Sequence, residues 1–143
     1  MIPARVSLIT IGAYELPTLR RFYQSLGWAE TEISSDTYAV FRTAGVLLSI
    51  FPIEELYKDA NLSEVKPIPE FRGVTLAINL DKREDVDLVI EEVRKRGGRI
   101  VKEPEDAFWG GRSAYFMDPE NNAWEVAWNP TAVFNEYGAM TSF

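Results

Sequence analysis

The chain has 143 residues, 46% of them hydrophobic, and carries fifteen basic against twenty-two acidic side chains, a formal charge of −7. That length and apolar content suit one packed domain or two small fused repeats and argue against disorder, while the negative balance disfavours general binding to a phosphate backbone. With no cysteine and no histidine, a disulfide framework, a thiolate nucleophile, an iron–sulfur cluster and any His- or Cys-based metal centre are excluded.

The first residues, Met1-Ile2-Pro3-Ala4-Arg5, lack a signal-peptide layout, and no apolar run approaches the ~20 residues needed to cross a bilayer. A cytoplasmic protein is expected. Arg5–Ile11 reads as a strand. A helix follows with Pro17 in its first turn, where a missing N–H costs little. Leu16, Leu19, Phe22, Tyr23 and Leu26 recur at the helical period, and Gly27 ends the helix. Three strands are expected next, over Ala29–Ser34, Tyr38–Arg42 and Val46–Phe51. Residues 53–69, with several prolines and charges, read as a connector with a short helical turn at Ile53–Lys58.

The second half repeats this order. Val74–Leu80 alternates as a strand should. Asp81 and Glu84 form a D-x-x-E helix start, a variant of the capping box, and Val86, Val89, Ile90 and Val93 make one apolar helical face. Gly97-Gly98 stops that helix. Strands Arg99–Lys102, Arg112–Met117 and Ala123–Trp128 complete the unit. The layout is βαβββ twice over, and repeated order usually means repeated structure. The expected organisation is a single domain over 1–143: module one 4–52, connector 53–69, module two 73–129, and a tail over 130–143 with no strong pattern.

The most informative stretch is Phe108-Trp109-Gly110-Gly111-Arg112 leading through Asp118-Pro119-Glu120-Asn121-Asn122 to Glu125. Proline fixes its own φ and sets a turn. The asparagines follow where a left-handed residue is often needed. The segment resembles the "WGxR…DPxGNxxE" ending of the glyoxalase / bleomycin-resistance / extradiol-dioxygenase (vicinal oxygen chelate) family. Glu15-Leu16…Phe22-Tyr23…Leu26-Gly27-Trp28 is similar to that family's "DL…FY…LGF". The resemblance spans roughly positions 5–128. It implies an α+β fold in which two βαβββ modules curl their sheets around a cavity, and a homodimer.

In metal-using members of that family each module offers two ligand positions. Matching by motif places them at Leu8, Leu48 (or its neighbour Ser49), Thr75 and Glu125. Leucine offers a cation no lone pair and threonine is a weak neutral ligand. One carboxylate falls short of a catalytic zinc site or an oxygen-rich cation site. The expectation is therefore no functional metal and no cofactor.

Alternation sorts the strands independently. Trp124, Val126 and Trp128 are expected toward the helix, leaving Ala123, Glu125 and Ala127 toward a cavity. Thr75, Ala77 and Asn79 take the cavity side of their strand, and Val6, Leu8 and Thr10 that of the first. Tyr115 or Phe116 shares a face with Glu125, depending on hairpin register. Trp109 either caps the cavity mouth or plugs the core edge, and Arg112 either holds its loop or pairs with an acid. The expected ligand contacts are Glu125, Trp109, Thr75, Asn79, Leu8, Leu48 and Arg112, with no catalytic residue assigned.

Two functions compete. One is a metal-free protein that binds a small, aromatic or cationic molecule in an apolar cleft, as antibiotic-sequestering relatives do, with neither nucleic acid nor membrane as partner. The other is a lyase, isomerase or dioxygenase using Glu125 as acid/base or sole metal ligand. The missing histidines favour the first.

Overall fold

Two amphipathic helices, each burying one apolar face, and the sheets they cover carry the structure, a computed structural model that describes residues 1–143. The chain divides into two units, Met1–Pro67 and Ile68–Phe143, and the boundary falls inside the expected connector.

In the first unit, β1 (Leu8–Ala13), β2 (Ala39–Phe41) and β3 (Leu47–Pro52) form a three-stranded sheet in the order β1-β3-β2. β3 runs parallel to β1 and antiparallel to β2. Helix α1 (Leu16–Ser25) buries Leu16, Leu19, Phe22 and Tyr23 on one side. Tyr23 meets Phe41 of β2 and stacks on Trp28 at 5.6 Å between centroids. Leu19 and Phe41 are fully buried, each contributing about 1.5–3 kcal/mol relative to exposure. α2 (Ile53–Asp59) follows β3 directly, one residue longer than the helical turn expected there.

One expected strand does not form. Ala29–Ser34 reduces to a single bridge, Glu30 opposite Phe41. The cause is a side chain that replaces a ladder bond: the Val40 N–H donates to the Ser34 hydroxyl at 2.9 Å, and the Ser34 N–H turns back to Thr31 O. Serine offers the backbone this local alternative to a strand.

In the second unit, β4 (Thr75–Asn79), β5 (Arg99–Asp106), β6 (Arg112–Met117) and β7 (Ala123–Trp128) make a four-stranded sheet in the order β4-β7-β6-β5. Here too the first strand runs parallel to the last, repeating the β1–β3 relation of the first unit. Helix α3 (Asp85–Lys95) buries Val86, Ile90 and Val93. It ends as a glycine-terminated helix should: Gly97 has φ +89°, its N–H donates to Arg94 O, and the Gly98 N–H donates to Val93 O.

The Asp81–Glu84 capping box is not realised. α3 begins at Asp85, its N-cap is Glu84, and no side chain caps it. A backbone turn does this work instead, because the Asp85 and Val86 N–H groups donate to Lys82 O and Arg83 O. The tail also differs from expectation. β8 (Val133–Phe134) and β9 (Met140–Ser142) form an antiparallel hairpin of their own.

Candidate functional site

Hairpin register decides which side chains of the second unit share a face. Between β6 and β7, Asp118 is buried and its carboxylate organises the turn. Oδ1 accepts the N–H groups of Glu120 and Asn122, each at 2.9 Å, and Oδ2 accepts the Asn122 side-chain amide at 2.8 Å. Asn121 takes the left-handed conformation, φ +63°, as one of the two asparagines was expected to. The turn sets Tyr115 opposite Glu125 and Phe116 opposite Trp124. Phe116 and Trp124 stack in the core at 6.3 Å.

Tyr115 and Glu125 therefore lie together on the other face, with Ala77 of β4 in register. The Tyr115 hydroxyl donates to Glu125 Oε2. That hydrogen bond to an anion, with burial, pushes the phenol up to about 12. The Lys102 ammonium sits over the Tyr115 ring, 5.8 Å from its centroid.

Glu125, Ala77 and Asn79 form the sheet side of a cavity of about 450 Å³. Trp109 enters from the loop before β6, and Asn129, Thr131, Met140 and Phe143 come from the chain beyond β7. Gly111 permits the close approach of that loop: a Cβ there would overlap the Trp109 ring and the Trp128 carbonyl oxygen.

Of the sequence-predicted contacts, Glu125, Trp109 and Asn79 meet around this cavity. Thr75 does not. It shares the strand face of Ala77 and Asn79 but stands at the exposed start of β4. Arg112 is also elsewhere. It pairs with Trp128 in register, on the face opposite Glu125, and clamps Asp87 through two bonds of 2.7 and 2.8 Å and Asp106 at 3.2 Å. Its hydrogen bonds hold the Asp87 carboxyl below the usual range. The reading of Arg112 as an acid-paired support is the one the structure bears out.

Leu8 borders a hollow of the first unit, about 430 Å³, with Thr10, Tyr38, Phe51, Leu56 and Asp59. Leu48 is on the opposite face. Leu8 is in register with Leu47 and Thr10 with Ser49, so Leu48 is buried with Ile50 on the α1 side. A one-residue slip in the assignment reversed its direction. Ser49 is the residue on the Leu8 side, fully buried, its hydroxyl 2.7 Å from that of Thr10.

The tail residues gave weaker signals. Asn129-x-Thr131 and Asn135-x-Tyr137-Gly138 are turn sequences, but β8 and β9 are too short to show alternation.

The model of the glyoxalase/bleomycin resistance protein/dioxygenase superfamily matches residues 5–126. The chain belongs to that superfamily. Solved structures agree with the superfamily's fold. The chain is similar to a glyoxalase-related enzyme from Fulvimarina pelagi, at 24% identity and TM-score 0.88, over 98% of this chain and 99% of that one. It is also similar to a lactoylglutathione lyase from Agrobacterium tumefaciens (18% identity, TM-score 0.68, covering 90% and 96%). A third similar structure is the fosfomycin resistance protein FosX from Mesorhizobium loti (20%, 0.64, 92% and 96%). No curated protein matches.

The superfamily's metal positions are poorly furnished here. The first unit presents Leu8 and Leu48, or Ser49 in the corrected register, and the second Thr75 and Glu125. Nowhere do three His, Cys, Asp or Glu side chains come together to hold a metal ion. A single carboxylate, one oxygen already engaged by Tyr115, does not fit a catalytic metal.

Proposed function

We propose that the protein binds a small, flat, aromatic or cationic molecule in the cavity of its second unit without a metal ion, holding it rather than transforming it. One observation carries this reading. Glu125 lines the cavity with Oε2 fixed by the Tyr115 hydroxyl and Oε1 taking no hydrogen bond from the protein. A carboxylate held in one orientation with an open acceptor suits an N–H or ammonium group, and the half-exposed Trp109 at the same cavity offers a π face.

The cavity volume lies within the range of drug-sized sites, and its lining divides evenly between apolar side chains and polar ones that can orient a ligand. Holding a ligand needs affinity alone. A micromolar site corresponds to about −8 kcal/mol, within reach of aromatic stacking, apolar burial and one charge contact. Sequestration of a toxic compound is the role we infer, carried out by a homodimer in the cytoplasm.

The test is calorimetric titration with thioflavin T, a planar aromatic cation. The reading expects saturable one-site binding weakened at least tenfold by Glu125→Gln and by Trp109→Ala. Binding indifferent to both changes would place the ligand elsewhere. Melting the dialysed protein with Zn²⁺, Ni²⁺, Mn²⁺ or Fe²⁺ addresses the metal. A saturable rise following RT ln(1 + [L]/Kd) and abolished by Glu125→Ala would favour an enzyme with Glu125 as a metal ligand.

A further inference from the structure

Part of the cavity's lining is not supplied by the superfamily core. Asn129, Thr131, Met140 and Phe143, half of the eight lining residues, all follow β7 and lie outside the matched residues 5–126.

This segment is built as a structure of its own. Asn129 Oδ1 accepts the Thr131 N–H at 3.0 Å and the Thr131 hydroxyl at 2.8 Å. Asn135 Oδ1 accepts the N–H groups of Tyr137 and Ala139 at 2.9 and 3.0 Å, closing the hairpin turn. The Thr141 hydroxyl donates to Val133 O at 3.2 Å. β8 and β9 pair with each other and not with the four-stranded sheet.

Two of the segment's side chains are unusual. Met140 and Phe143 line the cavity yet remain 39% and 78% exposed. Apolar surface beside a cavity and still in contact with water is surface that an apolar ligand would cover, with a gain proportional to the area removed from water. Methionine also adapts its shape to irregular partners. The sheet side of the same cavity is different in kind, with the carboxylate of Glu125, the amide of Asn79 and only the small Ala77.

We propose that the carboxy-terminal hairpin is a wall of the ligand site, and that Met140 and Phe143 are specificity-determining residues selecting ligands with an extended apolar body. The sheet side anchors the charged or polar end, and the hairpin side recognises length and bulk. This rests on the pocket reading above, and it adds that affinity divides between two ends of the ligand.

The experiment compares two aromatic cations on the full chain, thioflavin T as the extended probe and benzyltrimethylammonium as the short one. Affinities are measured for the unaltered protein, Trp109→Ala, Glu125→Gln, Phe143→Leu and the double variant Met140→Ala with Phe143→Ala. The expected result is a loss of about tenfold or more for thioflavin T in the double variant. Benzyltrimethylammonium stays within twofold, Phe143→Leu loses less than the double variant, and the melting temperature is unchanged. Equal thioflavin T affinity in the double variant, with Trp109→Ala and Glu125→Gln still impaired, overturns the hairpin inference and leaves the pocket reading standing. A parallel loss for both cations also overturns it, since a selective wall cannot weaken a ligand too short to reach it. If the unaltered protein binds neither cation, or binding ignores Trp109 and Glu125, the pocket reading falls and the inference with it.

Discussion

Replacing Asp118 by alanine tests how the cavity face is fixed. The carboxylate accepts three hydrogen bonds between 2.8 and 2.9 Å, and Asp118, Glu120 and Asn122 are all buried. Alanine leaves two backbone N–H groups and one amide without an acceptor. Each unsatisfied buried donor costs about 1–3 kcal/mol. With partial rehydration of the loosened turn, the total is about 3–5 kcal/mol, or roughly 6–20 °C in melting temperature at this chain length. Asp118→Asn keeps the Oδ1 acceptor and sets one amide against another at Asn122, so it costs about 1–2 kcal/mol. Urea denaturation of the three proteins, followed by far-ultraviolet circular dichroism, measures both. A cost below about 1 kcal/mol for alanine would refute the claim that this carboxylate pins the hairpin. So would asparagine matching alanine.

Further outcomes follow from the same geometry. Tyr115 titrates near 12 because Glu125 accepts its proton-bearing hydroxyl. The folded value is raised above the ordinary 10.0, so the stability from this contact is full below that pH and is lost as pH rises toward about 12. Absorbance at 295 nm should show Glu125→Gln moving the phenol back toward 10, and an unmoved titration would mean that the pair is not formed. Gly111→Ala drives a methyl group into the Trp109 ring and the Trp128 carbonyl. It should cost about 1–3 kcal/mol and red-shift tryptophan emission, whereas unchanged emission with full stability would contradict the packing. Arg112→Ala removes the clamp on Asp87 and Asp106, whose carboxylates are half exposed or more. It should cost about 1 kcal/mol or less and leave thioflavin T affinity within twofold, since Arg112 faces away from the cavity; a tenfold loss would return it to the site.

Much of this architecture was legible because it rests on short-range rules. The apolar spacing of Leu16, Leu19, Phe22 and Tyr23 marked α1, and Gly27 and Gly97 marked helix ends. Asp118-Pro119 fixed a hairpin whose strands, Arg112–Met117 and Ala123–Trp128, have the bounds expected of them. Strict alternation then put Glu125 and Asn79 on one face. What escaped depends on individual side chains choosing among partners. Ser34 took the Val40 N–H and dissolved a strand, and a backbone turn displaced the Asp81–Glu84 cap. Leu48 and Ser49 differ by one position along an apolar run, where no pattern separates the two faces. Thr75 lies on the right face but at the strand's exposed start. The tail hairpin of two- and three-residue strands is too short for any periodicity, so Met140 and Phe143 could be placed only by folding.

The measurement that bears most directly on a metal-free cation site beside Glu125 is a crystal structure of the protein soaked with thioflavin T and, separately, with Zn²⁺. The expected result is the flat cation in the cavity against Trp109, its charged end toward Glu125 Oε1 with the Tyr115 hydroxyl still on Oε2, and no ordered zinc at that carboxylate. A well-coordinated ion on Glu125, or the dye bound away from Trp109, would contradict it.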